Sequence, residues 1–307
     1  MGADVGGTFT DVIIQGSDGR TTTRKVLSTP PSYDKAVTVA IDALLGHSPG
    51  SGLHPVQEVV HGTTVATNAI LERRGAHLAL VTTEGFRDVL ELRRVRMPHL
   101  YNPFWRKPPP IVQRRLRFEI GERMLADGTS HRPVDAVEVK QLAARLRDAQ
   151  VEAVAVCLLH AHKYPAHEKQ VARILRRELP GVHVVLSNEV LREQNEYERS
   201  ATTALNAYVI PVMGAYVRDL VDGLERVGVD APVLIMQSSG GAMTGADAAH
   251  RPVYALESGP AAGVVAAQGL ARELGIANAI SYDMGGTTAK AAPIGEGRGT
   301  PSREDEV

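Results

Sequence analysis

A single cysteine in 307 residues leaves no possibility of a disulfide within the chain. That thiol, Cys157, sits in the apolar run from Ala153 to Leu159, where burial is expected, and a chain without disulfides suits a reducing cytoplasm. Neither sign of charge is in excess. The 34 Lys+Arg and 35 Asp+Glu leave a net of -1, so no global field draws the chain to nucleic acid or to an anionic membrane. No apolar stretch is long enough to cross a bilayer, and no basic-then-apolar signal pattern opens the sequence. Zinc-type spacing of His and Cys is missing, as are a Walker loop (Gly-x-x-x-x-Gly-Lys-Ser/Thr) and the dinucleotide pattern Gly-x-Gly-x-x-Gly after a first strand. No short-period repeat of the solenoid kind occurs.

What is present is an alternation of short strand-like and longer helix-like apolar runs, the mark of an α/β protein. Val12 to Ile14, Glu58 to Val60, His77 to Val81, Ala153 to Leu159, Gly181 to Leu186, Val233 to Met236 and Ala279 to Asp283 read as strands. Helices are expected over Asp34 to Leu45, over Thr64 to Arg74 with Gly75 as its cap, from Asp135, and from Pro165 to about Leu179. Asp135 and Glu138 have capping-box spacing. Glu196 to Val227 reads as one long helix kinked at Pro211, and Ala261 to Leu274 as another helix. Met97 to Arg117, with Pro108-Pro109-Pro110 and three aromatics, reads as an irregular excursion: a packed surface loop, a lid or an inter-subunit arm. The length suits two domains, placed at 1–190 and 191–307. The opening almost directly on Asp4 and the polar, Gly-rich tail from Gly295 suggest a fragment of a longer chain.

One motif occurs twice. Asp4-Val5-Gly6-Gly7-Thr8 near the start is echoed by Asp283-Met284-Gly285-Gly286-Thr287 near the end. By composition, one Asp-x-Gly-Gly-Thr arises by chance in on the order of one chain per hundred of this length, so two copies are far rarer. The chemistry accounts for the residue types. Glycines allow a tight, positive-φ turn whose bare amides approach and donate to a phosphate. Thr8, Thr10, Thr287 and Thr288 supply short hydroxyl donors. An Asp at the strand end repels phosphate but can hold Mg²⁺, directly or through water, and the ion bridges phosphate oxygens. Two such turns can grip one polyphosphate from both sides. The alternative, a pair of ordinary Gly-Gly hairpins, needs no ligand.

The doubled turn resembles the phosphate-1 and phosphate-2 motifs of the actin/Hsp70/sugar-kinase ATPase superfamily. Neighbouring stretches narrow the resemblance to the hydantoinase A/5-oxoprolinase/acetone carboxylase group. They are Asp4 to Asp11, His61-Gly62-Thr63-Thr64-Val65-Ala66-Thr67-Asn68-Ala69, Glu196-Tyr197-Glu198-Arg199, Asn206-Ala207-Tyr208, Gln237-Ser238-Ser239-Gly240-Gly241 and Ser258-Gly259-Pro260-Ala261-Ala262-Gly263. They fall in the family's order and span essentially the whole chain. Many members carry Asp where this chain has Lys290, although a Thr-Thr-Ala-Lys version also occurs. The resemblance implies a ribonuclease H-like α/β fold: an N-terminal domain followed by the beginning of a second, similar one. The family's adenosine-binding glycine motif would lie beyond the second turn, outside these residues.

The resemblance also implies chemistry. Resonance makes cyclic amides resist hydrolysis, and phosphorylating the carbonyl oxygen with ATP creates a leaving group so that water can open the ring. Protein catalysis of phosphoryl transfer is positioning plus charge neutralisation. Gly6, Gly7, Thr8, Thr10, Gly285, Gly286, Thr287 and Thr288 would hold the nucleotide, Asp4 and Asp283 would place Mg²⁺, and Asp11 would orient water or metal. His61, Thr63, Thr64 and Asn68 stand at a strand end and helix start, where they face substrate or else only cap and pack. Ser258-Gly259-Pro260, Glu196, Glu198 and Arg199 are weaker candidates. A B-type subunit is the implied partner. The expected function is ATP-dependent opening of hydantoin or 5-oxoproline rings. The alternatives are an acetone carboxylase-like subunit activating a ketone with ATP, or a fragment that only binds nucleotide or assembles with a partner.

Overall fold

The structure, a computed structural model, describes residues 1–46, 56–94, 101–284, 289–295 and 298–299. The chain opens with strands β1 (Gly2–Val5), β2 (Phe9–Gln15) and β3 (Thr21–Leu27), then α1 (Tyr33–Leu45), β4 (Val59–Thr63) and α2 (Val65–Leu71). It continues through β5 (Leu78–Thr83), α3 (Val89–Leu92), β6 (Arg117–Ile120), β7 (Arg123–Met124), β8 (Ser130–Arg132), α4 (Ala136–Asp148), β9 (Ala153–Cys157), α5 (Ala166–Glu178), β10 (His183–Leu186) and α6 (Ser187–Val190). The long helix α7 (Glu196–Arg226) leads to β11 (Val233–Met236), β12 (Ala242–Thr244), α8 (Gly245–His250), α9 (Ser258–Glu273), β13 (Asn278–Met284), β14 (Ala289–Gly295) and β15 (Arg298–Gly299). Among the described residues, no helix is long and apolar enough to cross a membrane.

Contacts divide the chain into two compact units, Met1–Arg74 with Val212–Val307, and Gly75–Pro211. The sequence boundary at 190/191 falls inside the second. The first unit holds a six-stranded sheet in the order β12-β11-β4-β1-β2-β3. Strands β1, β2 and β3 form an antiparallel meander, and β4 and β11 join it in parallel. One face of this sheet is packed: Ala3, Val5, Val12 and Val59 meet Val37, Ala40 and Ile41 of α1 and Met213, Tyr216, Leu220 and Leu224 of α7 in one buried cluster. A strand sends alternate side chains to opposite faces, so Asp4 and Asp11 point away from that core. Strands β13, β14 and β15 make a separate three-stranded sheet.

The second unit is built on a parallel sheet, β10-β9-β5-β6, with β7 and β8 as a small hairpin. Its central strand β9 is buried at every residue, as two-sided cover demands, and Cys157 is buried at its end.

Several local expectations change. Helix α2 ends at Leu71, and Arg73, not Gly75, takes the left-handed conformation after it (φ 57°). Gly75 instead lies against Tyr208, where a Cβ would come within 2.4 Å of the ring. Asp135 caps α4 by accepting from the Val137 amide, but Glu138 reaches the Gly121 amide rather than closing a capping box. Helix α7 matches the long helix expected there, Glu196–Arg226 with Pro211 inside it. The excursion is irregular from Tyr101 to a 3-10 turn at Arg114–Leu116; its first residues, 97–100, lie outside the described chain.

Candidate nucleotide-binding face

The site is a row of residues across three strands. Register pairs Gly62 of β4 with Asp4 of β1, Asp4 with Asp11 of β2, and Asp11 with Lys25 of β3. Directly opposed residues share a face, so all four lie on the side of the sheet away from the core. Lys25 Nζ donates to Asp11 Oδ2 at 2.5 Å and stands over the Phe9 ring. Asp4 has no such cation and, among the described residues, makes no hydrogen bond. Two glycines crowd it instead: a Cβ on Gly62 would lie 2.9 Å from Asp4 Oδ1, and one on Gly259 at 3.2 Å. Only glycine lets the first turn of α9 and the end of β4 approach the carboxylate this closely.

The electrostatics follow. Dense surrounding protein pushes the Asp4 carboxyl above its usual range, and the charges of Asp283 and then Asp11 push it further, against a smaller opposing effect of Lys25. The side chain still touches solvent, so the penalty comes from crowding and like charge rather than complete sealing. Asp283, from the far end of the sequence, therefore acts on Asp4 within the same unit. Its glycine turn, Gly285, Gly286, Thr287 and Thr288, lies outside the described residues.

The first turn can be followed atom by atom. The Gly6 amide donates to Phe9 O at 3.0 Å, and Gly6 O accepts from the Ser28 hydroxyl at 2.7 Å. Gly7 and Thr8 are exposed, and their amides find no partner among the described residues. Neither Gly6 nor Gly7 takes the positive φ expected of a tight glycine turn. Gly6 is needed for close approach, since a Cβ there would lie 3.2 Å from Phe9 O.

Thr10 is corrected as a phosphate donor. It is fully buried, and its hydroxyl bonds Ser28 Oγ at 3.0 Å. The single Ser28 proton goes to Gly6 O, so Thr10 donates to Ser28 and serves the turn from within. His61 is corrected for the same reason. It is opposite Ala3 on the core face, fully buried, with Nδ1 at 3.0 Å from Ala3 O and Nε2 at 2.6 Å from Tyr216 Oη. A carbonyl only accepts, so Nδ1 carries the proton and Tyr216 donates to Nε2. Burial lowers the His61 pKa to about 4 and raises that of Tyr216. A neutral imidazole sealed in the core faces no substrate. Thr63, opposite Val5, is likewise fully buried; its amide donates to Ser258 Oγ, which donates in turn to Thr63 O, each at 3.0 Å. This clamp fixes the start of α9 against the end of β4.

Thr64 and Asn68 remain half-buried. Thr64 Oγ1 donates to Val5 O at 3.2 Å, and Asn68 Nδ2 reaches Thr64 Oγ1 and Tyr33 Oη. Lys290 pairs with Glu257, the left-handed residue (φ 59°) preceding α9. Arg199 is fully buried in the second unit, bonded to Leu158 O and Glu193 O. Glu198 pairs with Arg94 at 2.5 Å. Sequence reasoning missed Lys25, Ser28 and Tyr216, and did not place Gly62 and Gly259 around Asp4. Counting back from the Gly6–Phe9 turn pairs Asp4 with Asp11 and was open to it; Gly259 and Tyr216 carry no such signal.

A cavity of about 490 Å³ in this unit lies elsewhere, lined by Met243, Asp247, Arg251 and Tyr254 among others. It lacks the acidic turn, and the chemistry is read from Asp4. The arrangement fits a hydrated divalent cation and phosphates: an unpartnered carboxylate under like charge, glycine walls, and two exposed free amides. Among the described residues, no three His, Cys, Asp or Glu side chains are placed to hold a metal together.

A meander β3-β2-β1 continued by parallel β4, with carboxylates on the open face beside its first turn, defines a mixed α/β protein of the ribonuclease H-like, actin/Hsp70 ATPase type. The chain belongs to the hydantoinase/oxoprolinase family: the family's N-terminal region matches residues 1–179 and its main region residues 199–307. Caprolactamase subunit alpha of Pseudomonas jessenii is 35% identical over 94% of this chain and 42% of its own length. The crystal structure of that ATP-dependent caprolactamase matches with a TM-score of 0.84, covering 95% of this chain and 43% of the other. A nucleotide-free acetone carboxylase structure matches with a TM-score of 0.86 at 27% identity, covering 97% and 44%. The 5-oxoprolinase 1 of Arabidopsis thaliana is 33% identical over 93% of this chain and 24% of its own. The chain thus spans less than half the length of these relatives.

Proposed function

We propose that this chain forms the phosphate-gripping part of an A-type subunit in an ATP-dependent hydrolase that opens cyclic amides such as hydantoin, 5-oxoproline or a lactam by phosphorylating the ring carbonyl. The observation that carries this reading is the Asp4 carboxylate, walled by Gly62 and Gly259 and under the charge of Asp283 and Asp11. Asp4, with Asp283, would hold Mg²⁺, and the free Gly7 and Thr8 amides would take phosphate oxygens. The second motif, Gly285 to Thr288, supplies further phosphate contacts in this reading. Bound Mg²⁺ offsets phosphate charge, which is most of what phosphoryl transfer asks of a protein. Asp11, tied to Lys25, orients the solvent around Asp4. Thr64 and Asn68, half-buried after β4, are the residues this reading assigns to substrate contact. The relatives named as subunits support a B-type partner.

The likeness to acetone carboxylase favours a second reading, ketone activation by ATP in a carboxylase-like assembly. Steady-state ATP turnover by the complete A-type chain with its B-type partner separates the two. Stimulation by a cyclic amide supports the first, and by a ketone with bicarbonate the second. Asp4→Asn is expected to lower either turnover by at least about 100-fold with an unchanged melting temperature. Undiminished turnover would falsify the role of Asp4.

A further inference from the structure

The second unit holds a relay that the nucleotide site does not use. Glu122, between β6 and β7, is buried at 2% exposure, and His167, in the first turn of α5, at 7%. Glu122 Oε2 lies 2.5 Å from His167 Nδ1, and its Oε1 accepts from the Thr83 hydroxyl at the end of β5. Thr83 Oγ1 is itself fixed by the Leu159 amide at 3.1 Å. At the other end of the ring, His167 Nε2 lies 3.0 Å from Oγ of Ser130, the first residue of β8. Ser130 is exposed.

These contacts settle the proton positions. Thr83 gives its one proton to Glu122, so the carboxylate accepts on both oxygens. Nδ1 must then carry the imidazole proton, which leaves Nε2 as an acceptor for Ser130 O–H. That tautomer and polarity are those of a serine nucleophile, its base and an orienting carboxylate. A structural role alone explains the pattern poorly. An exposed hydroxyl is satisfied by water, whereas burying a carboxylate and an imidazole is costly unless they are bonded. Here both buried groups are bonded so as to aim one lone pair at an exposed serine. The cluster also lies at the carboxyl ends of parallel strands, where α/β sheets place their sites.

We propose that Ser130, His167 and Glu122 form a second reactive centre, an esterase-like triad that takes an acyl group from an activated ester. Ser130 Oγ bonds to the ester carbonyl carbon while its proton passes to His167 Nε2. The C–O bond to the alcohol breaks, and the imidazolium returns that proton to the departing alkoxide. Water then attacks the acyl-serine, giving a proton to Nε2 that Ser130 recovers as the acid leaves. Ester and water become acid and alcohol, with no other reactant. Ser130 and His167 are catalytic; Glu122 positions the ring.

The test uses the full 307-residue chain and a fluorophosphonate probe, read by intact mass and peptide mapping. One adduct is expected, on Ser130, absent from the chain denatured before labelling and from Ser130→Ala. Glu122→Gln should label about 100-fold more slowly at an unchanged melting temperature. p-Nitrophenyl acetate should give an acyl-enzyme at the same serine. A native chain with no adduct on Ser130, equal labelling of native and denatured chain, or full-rate labelling of a folded Glu122→Gln would each overturn the proposal. Should Glu122→Gln not fold, the native, denatured and Ser130→Ala arms decide by themselves. The ATP-dependent reading rests on Asp4 in the other unit and survives either outcome.

Discussion

Asp4 is held in a state that its own surroundings disfavour. Crowding and two neighbouring carboxylates raise its pKa, and Lys25 offsets only a smaller part of that effect. A group of this kind gains most from a cation, and the space for that cation is kept by glycine. A methyl on Gly62 would come 2.9 Å from Asp4 Oδ1, inside any real contact distance, so the carboxylate must swing aside. Gly62→Ala is therefore expected to cut substrate-dependent ATP turnover by on the order of 10-fold or more while far-ultraviolet circular dichroism stays native. Activity equal to the unmodified protein would show that the carboxylate has room to spare. At this scale the sequence was informative about Asp4, Asp11 and Asp283 as residue types. It was silent on Gly259, which reaches Asp4 only because Ser258 clamps α9 to Thr63.

Strand alternation sorts the candidates. Along β1, β2 and β4, residues Ala3, Val5, Thr10, His61 and Thr63 face the core, and Asp4, Asp11 and Gly62 face out. Thr10, His61 and Thr63 were singled out for their chemistry, and one strand period moved all three inward. For His61 this has a measurable consequence. Its pKa in the fold is about 4, below the ordinary 6.5, so between those values the unfolded chain binds a proton that the folded chain refuses. Stability should be fully present above pH 6.5, fall as pH drops through that window and level off near 4, by about 3 kcal/mol in all. Urea titrations across this range should show the slope, and His61→Gln should remove it. An identical slope in His61→Gln would place the titration elsewhere. Helix α7 shows the opposite case: its span was legible from apolar spacing, and it carries Pro211 between buried Val209 and buried Met213 and Leu220.

At the scale of the molecule, two turns near opposite ends of the sequence matter only if they meet. The Asp283 charge helps raise the Asp4 pKa, and both residues belong to one unit although β13 and β1 lie in separate sheets. A shared ion is the consequence under the proposed function. Chelating divalent cations from the complete assembly should abolish ATP turnover, and adding Mg²⁺ back should restore it. Asp4→Asn should need several-fold more Mg²⁺ for half-maximal rate wherever residual activity is measurable. Turnover indifferent to chelation would remove the ion from the reading.

The sequence by itself determined the α/β class, the long helix, the doubled Asp-x-Gly-Gly-Thr motif and, through its ordered motifs, the family. These are local patterns: a hydrophobic period, a turn composition, a string of residues. Tertiary structure alone decided which side of each strand meets water, which glycine stands beside which carboxylate, and that Glu122, His167 and Ser130 converge. Such facts depend on register between segments far apart in the chain, and no local pattern encodes the distance between two strands before they pair.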